Sequence, residues 1–203
     1  MKKLLGAIAL ATTALVGTAH AADAPYLPMK MWFVKLGASY VVPESGGGAG
    51  VLPANVTAGN AATVTIEAGR FITNNISVSV TGGAPPTHEI YLGGADTGSS
   101  VTLGAFALDA QFHLINNDKF DAYVGAGIAY NIYFSDTSPV ITSIDNGFAP
   151  VLQAGVEYKA TDTFGIFADV KKEFYSATTH TVAGTFSEKL DPWVFTAGVA
   201  FHF

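Results

Sequence analysis

The sequence predicts an all-β protein, an eight-stranded antiparallel transmembrane β-barrel wound as an up-and-down meander. Three observations lead there. The 203-residue chain is 49% hydrophobic and only 13% charged, where soluble domains carry roughly 25% charged residues. No apolar run after residue 21 is long enough for a spanning helix, which needs about 18–20 residues. Eight segments instead alternate apolar and polar or small side chains with period two. In hydrocarbon every backbone donor and acceptor must be satisfied internally, and a closed barrel does this between strands. A soluble sandwich would have to bury the apolar faces of all eight strands together. It would leave the small, polar second face unexplained.

The N-terminus predicts export. Lys2 and Lys3 precede a weakly polar run from Leu4 to Thr18, followed by Ala19-His20-Ala21. A positive start, an apolar stretch and an A-x-A site define a signal peptide over residues 1–21, cut after Ala21. Residues 22–203 then form the barrel, with no internal repeat and no domain boundary. The chain has no Cys, which excludes a disulfide framework, Cys-ligated metal sites and a Cys nucleophile. Its formal net charge of −6 argues against a nucleic-acid partner, which requires a basic face.

The strands follow in order. Trp32, Val34, Leu36, Ala38 and Tyr40 share one face, with Lys35, Gly37 and Ser39 on the other. Val64, Ile66 and Ala68 oppose Thr65, Glu67 and Gly69; Ile76, Val78 and Val80 oppose Ser77, Ser79 and Thr81. Phe106, Leu108, Ala110 and Phe112 oppose Ala107, Asp109, Gln111 and His113. Val124, Ala126, Ile128, Tyr130 and Ile132 face away from Tyr123, Gly125, Gly127 and Asn131. Leu152, Ala154, Val156 and Tyr158 oppose Gln153, Gly155 and Glu157; Phe164, Ile166, Ala168 and Val170 oppose Gly165, Phe167, Asp169 and Lys171. Trp193, Phe195, Ala197, Val199, Phe201 and Phe203 end the chain on one face. With apolar faces toward lipid, strands of about 9–11 residues fit the smallest outer-membrane barrels.

Connections alternate in length. Those at 72–75, 115–119 and 159–163 are short, whereas those near 43–61, 85–100, 135–147 and 175–185 are long. Short periplasmic turns and long extracellular loops put both termini in the periplasm. Rings then gather at the two interfaces, where an amphipathic aromatic is satisfied at headgroup level. Trp32, Phe112, Tyr158, Phe164 and Phe201 fall at the periplasmic rim, and Tyr40, Tyr130, Phe134 and Trp193 at the outer one.

The lumen of eight strands is wide enough for side chains or one small ligand. The inward set includes Lys35, Glu67, Thr81, Asp109, Gln111, His113, Gln153, Glu157, Phe167, Asp169 and Lys171. Buried charges must be paired, so one reading is a polar network that plugs the lower lumen. The other is that part of the set lines a passage, with Thr81 and Lys171 near its outer mouth. No enzymatic activity, cofactor or metal is expected. His20 leaves with the signal peptide, His113 lies low in the lumen, His202 is at the periplasmic end, and His88 and His180 belong to loops. His88-Glu89 supplies only two metal-ligating residues and reads as a solvated loop pair. Gly125-Ala126-Gly127 sits inside a strand, with no helix to lead into, and reads as close lumenal packing. The series Phe195, Ala197, Val199, Phe201 and Phe203, closing on a terminal aromatic, resembles the signal recognised by the outer-membrane assembly machinery.

Several segments, in order, resemble the OmpW-like outer-membrane proteins over nearly all of residues 31–203. They are Trp32-Phe33-Val34-Lys35-Leu36-Gly37, Thr73-Asn74-Asn75-Ile76, Lys119-Phe120 with Tyr123-Val124-Gly125-Ala126-Gly127-Ile128, Gln153-Ala154-Gly155-Val156-Glu157-Tyr158, and Leu190-Asp191-Pro192-Trp193-Val194-Phe195. The resemblance implies a Gram-negative outer-membrane location. It also implies the role proposed for that family: passive uptake of small hydrophobic molecules through a narrow barrel with a lateral exit. One departure is notable, since Thr81 and Lys171 stand where the family carries apolar lining. The expected partners are membrane lipid, the assembly machinery and small hydrophobic ligands. The alternative is a sealed structural barrel whose loops bind host or envelope partners.

Overall fold

The computed structural model describes residues 30–44, 56–92, 94–137, 141–181 and 184–203. The expected signal peptide and the glycine-rich stretch 46–50 lie outside them. Thirteen strands occur among the described residues: β1 Trp32–Val42, β2 Val56–Ala58, β3 Ala61–Phe71, β4 Ile76–Gly83, β5 Thr87–Leu92, β6 Ala95–Asn116, β7 Phe120–Thr137, β8 Ile141–Ile144, β9 Gly147–Lys159, β10 Phe164–Glu173, β11 Ser176–Thr181, β12 Gly184–Lys189 and β13 Trp193–His202. Eight of them close into a ring in the order β1-β3-β4-β6-β7-β9-β10-β13, with every pairing antiparallel and β13 returning to β1.

The barrel is inside-out relative to a soluble domain, as the alternation requires. Leu108 is 56% exposed and its neighbour Asp109 is 1% exposed. Lys35, Ser77, Ser79, Gln111, Gln153, Glu157 and Asp169 are buried, whereas Leu36, Val64, Ile66, Leu152, Val156 and Ile166 are exposed to what a bilayer fills with acyl chains. Register places rings at both ends of the wall. Phe164 meets Phe201 edge-on at 5.5 Å and Phe120 meets Tyr158 at 5.3 Å near the short turns. Tyr130 packs on Phe148 at 4.7 Å and Trp193 on Phe195 at 6.4 Å near the long connections.

Strand lengths depart from the expected 9–11 residues. β6 has 22 residues and β7 has 18, because the two keep pairing beyond the wall as far as Ser100↔Thr137. The segment read as the second long loop holds β5, which pairs with the start of β6, and β2 joins its edge. β8, β11 and β12 form a separate three-stranded sheet over the same end. Runs such as Ser176-Ala177-Thr178-Thr179 are polar and β-branched, so they favour strands that water rather than lipid surrounds.

Candidate functional site in the barrel lumen

Inward-facing side chains form three levels. Lowest, next to the short turns, His113 Nδ1 bonds Asp121 Oδ1 at 2.7 Å, and its Nε2 lies 2.9 Å from Ser77 Oγ. His202 Nε2 meets Glu157 Oε1 at 2.7 Å, and the rings of Phe33 and Phe71 pack edge-on at 5.7 Å.

The middle level is a continuous polar network. Lys35 Nζ donates to Tyr123 Oη at 3.0 Å and lies 4.1 Å from the centre of that ring. Tyr123 in turn donates to Asp169 Oδ2 at 3.0 Å, an oxygen that also accepts from Gln153 Nε2 at 2.7 Å. Gln111 Nε2 donates to Glu67 Oε1 at 2.7 Å and to Gln153 Oε1 at 3.1 Å, while Ser77 donates to Gln111 Oε1 at 3.0 Å. Lys171 Nζ reaches Asp109 Oδ2 at 2.5 Å, Thr81 Oγ1 at 2.9 Å and Glu67 Oε2 at 3.9 Å. Close approach of this network to the wall depends on glycine. A Cβ at Gly155 would strike the Tyr123 hydroxyl, and one at Gly127 would strike Leu108 O and Asp109 Oδ1. Gln111, Asp109 and Glu157 are each 1% exposed, so the lower and middle lumen is filled.

Above the network lies a cavity of about 100 Å³. Its floor is Thr81, Lys171, Asn131 and Glu173; its walls are Val41, Thr63, Thr65, Ala105, Ala107, Leu103, Val194 and Pro192, together with Gly82, Gly83, Ala84, Pro86 and His88. One wall has a gap in its ladder. Pairing of β4 with β6 stops at Thr81↔Ala107, and β6 is next joined at Leu103, whose N–H donates a hydrogen bond to Pro86 O. Pro85 and Pro86 carry no N–H to donate across it, and side chains rather than rungs occupy the interruption, the Phe106 ring lying against Gly82 and Pro85 against Gly104.

Every expected lumenal residue faces inward, but they divide between the two upper levels and the lower one. Thr81 and Lys171 do line the cavity, yet Lys171 is committed to Asp109 and Glu67 rather than standing free. His88 departs from the solvated-loop reading: it is 5% exposed, and its Nδ1 lies 2.8 Å from Gly59 O. Only Glu89 of that pair is exposed, held by the Tyr91 hydroxyl at 2.7 Å. Tyr123, Asp121, Asn131 and Glu173 were not singled out as functional, although the period-two alternation already put Tyr123 and Asn131 on the inward face.

A closed antiparallel eight-stranded wall with an apolar exterior and a polar lumen defines a small outer-membrane β-barrel. The OmpW family model matches residues 32–203, and the chain belongs to that family. Outer membrane protein W of Escherichia coli is 27% identical over 220 residues, covering 100% of both chains. Outer membrane protein AlkL of Ectopseudomonas oleovorans is 27% identical over 167 residues, covering 77% of this chain and 73% of that protein. Among solved structures, OprG from Pseudomonas aeruginosa superposes with a TM-score of 0.72 at 15% identity, covering 86% of this chain and 96% of that one. These relatives are named outer-membrane proteins, and the apolar belt accordingly contacts membrane lipid.

Proposed function

We propose that this protein lets small hydrophobic molecules cross the Gram-negative outer membrane passively, entering the upper cavity from outside and leaving sideways into the bilayer. The observation that carries the reading is the interrupted β4–β6 ladder: between Thr81↔Ala107 and the Leu103–Pro86 hydrogen bond the two strands do not pair with each other, and Gly82, Gly83, Ala84, Leu103 and Ala105 there line the cavity. An axial path would have to pass Lys171, Asp109, Glu67, Gln111 and Gln153, whose hydrogen bonds and ion pairs fill the lumen. Separating buried ion pairs costs several kcal/mol. Leaving through the wall needs no such step. Family membership supports the same reading, with both termini periplasmic and the Phe195–Phe203 series addressing the assembly machinery. Ser77, His113 and Asp121 do hydrogen-bond in Ser-His-Asp order, but they are 0%, 1% and 2% exposed within the filled lower lumen, where a substrate does not reach the hydroxyl, so we read the set as structural rather than enzymatic.

The test is entry of small apolar compounds into cells lacking the protein, complemented with wild type or with Ala105→Phe, whose ring fills the cavity. Faster entry with wild type and loss of that gain in the variant supports the conduit. Equal entry in all strains, with the barrel present in the outer membrane, overturns it and favours a sealed surface-interaction barrel.

A further inference from the structure

The two tryptophans of the chain mark the two rims of the wall, and register lays a cation over each. Trp193 stands opposite Lys172 on β10, whose Nζ lies 4.8 Å from the ring centre. Trp32 stands opposite Arg70 on β3, whose guanidinium carbon lies 5.3 Å from the ring centre. Only the counter-charge differs. At the outer rim Glu44 sits 2.7 Å from Lys172 and accepts from Trp193 Nε1 at 2.6 Å. At the short-turn rim no carboxylate among the described residues pairs with Arg70. Asp118 and Asp162, the acidic side chains of the neighbouring turns, form no ion pair either, and Phe203 O accepts from the Trp32 amide on the other side of β1. Lys30, Lys119 and Lys159 at the same end also lack a carboxylate: Lys30 donates to Thr163 Oγ1 and Lys159 to Asn116 Oδ1 at 2.6 Å.

Arg70 continues the outward series of Ile66 and Ala68, between the buried Gly69 and Phe71. Its part-buried guanidinium therefore lies at the headgroup level that an interfacial tryptophan occupies, not in the lumen. A cation at the edge of the hydrocarbon calls for an anion, and the planar guanidinium fork matches two oxygens of a phosphate. We propose that Arg70, steadied by the face of Trp32, seats the phosphate of an anionic phospholipid, phosphatidylglycerol being the simplest. Nε is enclosed, so the two terminal amino groups make the contact. Phosphatidylcholine brings its own ammonium beside its phosphate and competes less well for the seat. At the outer rim the Glu44 carboxylate already fills the corresponding place, so Trp193 and Lys172 form no such seat. Lys30, Lys119 and Lys159 add to the attraction of anionic lipid at the same end. That leaflet is the periplasmic one in the proposed orientation, whereas the seat itself does not depend on orientation.

Trp193→Phe leaves Trp32 as the only tryptophan, and its fluorescence reports the lipid beside it. The full barrel is reconstituted in bilayers of phosphatidylcholine with a rising share of phosphatidylglycerol, one of the two carrying brominated chains that quench the indole. Phosphatidylglycerol should displace phosphatidylcholine from Trp32 with a preference of roughly three- to fivefold, the upper range for a part-exposed ion pair. Arg70→Gln should abolish the preference, and Arg70→Lys, which keeps the charge and loses the fork, should retain part of it. With Trp32→Phe instead, Trp193 should show no preference until Glu44→Gln removes the protein's own counter-charge. Inorganic phosphate added at constant ionic strength should leave the preference at Trp32 in place. Equal quenching by the two lipids at Trp32 overturns the seat, as does a preference that survives Arg70→Gln. Loss of the preference to inorganic phosphate would assign Arg70 to a free anion and overturn the lipid. A preference at Trp193 with Glu44 intact would overturn the counter-charge argument. All of these outcomes leave the cavity and its lateral exit untouched.

Discussion

Removing Lys171 should destabilise the barrel far more than its single side chain suggests. The ammonium lies 2.5 Å from Asp109 Oδ2 and 3.9 Å from Glu67 Oε2, and both carboxylates are buried. Asp109 Oδ1 already lacks a partner, so Lys171→Leu leaves that carboxylate without its cation. Breaking a buried pair from one side costs about 3–5 kcal/mol, whereas replacing both members with apolar groups is often close to neutral. Lys171→Leu should therefore lose about 3–5 kcal/mol, and Lys171→Leu/Asp109→Leu should lose less than the sum of the single changes by about 2 kcal/mol. Equilibrium urea unfolding in phospholipid vesicles measures all four corners of the cycle. A loss under about 1 kcal/mol for Lys171→Leu, or simple additivity, would refute the paired-network account. The same reasoning disqualifies Lys171→Leu as a way of making the cavity more apolar, since it disturbs the network below.

Three further predictions follow from other parts of the wall. A Cβ at Gly198 meets the Leu36 carbonyl oxygen and Gly37 Cα on the adjacent strand, backbone that cannot yield, so Gly198→Ala should cost about 1–3 kcal/mol in the same unfolding assay. Phe203 is 63% exposed, so Phe203→Leu should leave the stability of refolded protein within about 1 kcal/mol while lowering the amount assembled in cell outer membranes; unchanged assembly would remove the terminal-signal role. Asp191 lies in the segment before β13, where burial would raise its pKa, but Lys189 at 2.7 Å and the Tyr175 amide at 2.8 Å hold it below the ordinary carboxylate value. Its stabilisation is present above the unfolded value of about 4 and is lost as pH falls through the lower folded value. Amide exchange at Tyr175 should accordingly quicken in that acid window and not between pH 5 and 8.

The wall was legible in the sequence because lipid on one side and a narrow lumen on the other impose strict alternation. Asp109 beside Leu108, and Glu157 between Val156 and Tyr158, carry that signal without any knowledge of partners. Membership of the inward set was legible for the same reason. What each member bonds to was not, because the contacts of Tyr123 with Lys35 and Asp169 join residues 88 and 46 positions apart, and only register brings them together. The gap beside Thr81 and the extension of β6 and β7 beyond the wall are likewise matters of pairing. His88 was misread because residues 85–100 have the polar, glycine-rich composition of a solvated loop. Folding of β5 onto β6, with Gly59 alongside, buries that one ring and leaves Glu89 outside.

The most direct measurement of the lateral route is photolabelling. An alkane carrying a diazirine would be partitioned into bilayers containing the protein, irradiated, and its attachment sites mapped by mass spectrometry. The account predicts labels on Gly82–Pro86 and Leu103–Ala105 in addition to the lipid-facing belt, with those gap labels lost in Ala105→Phe. Labelling confined to outward residues such as Leu108, Leu152 and Val156 would contradict it.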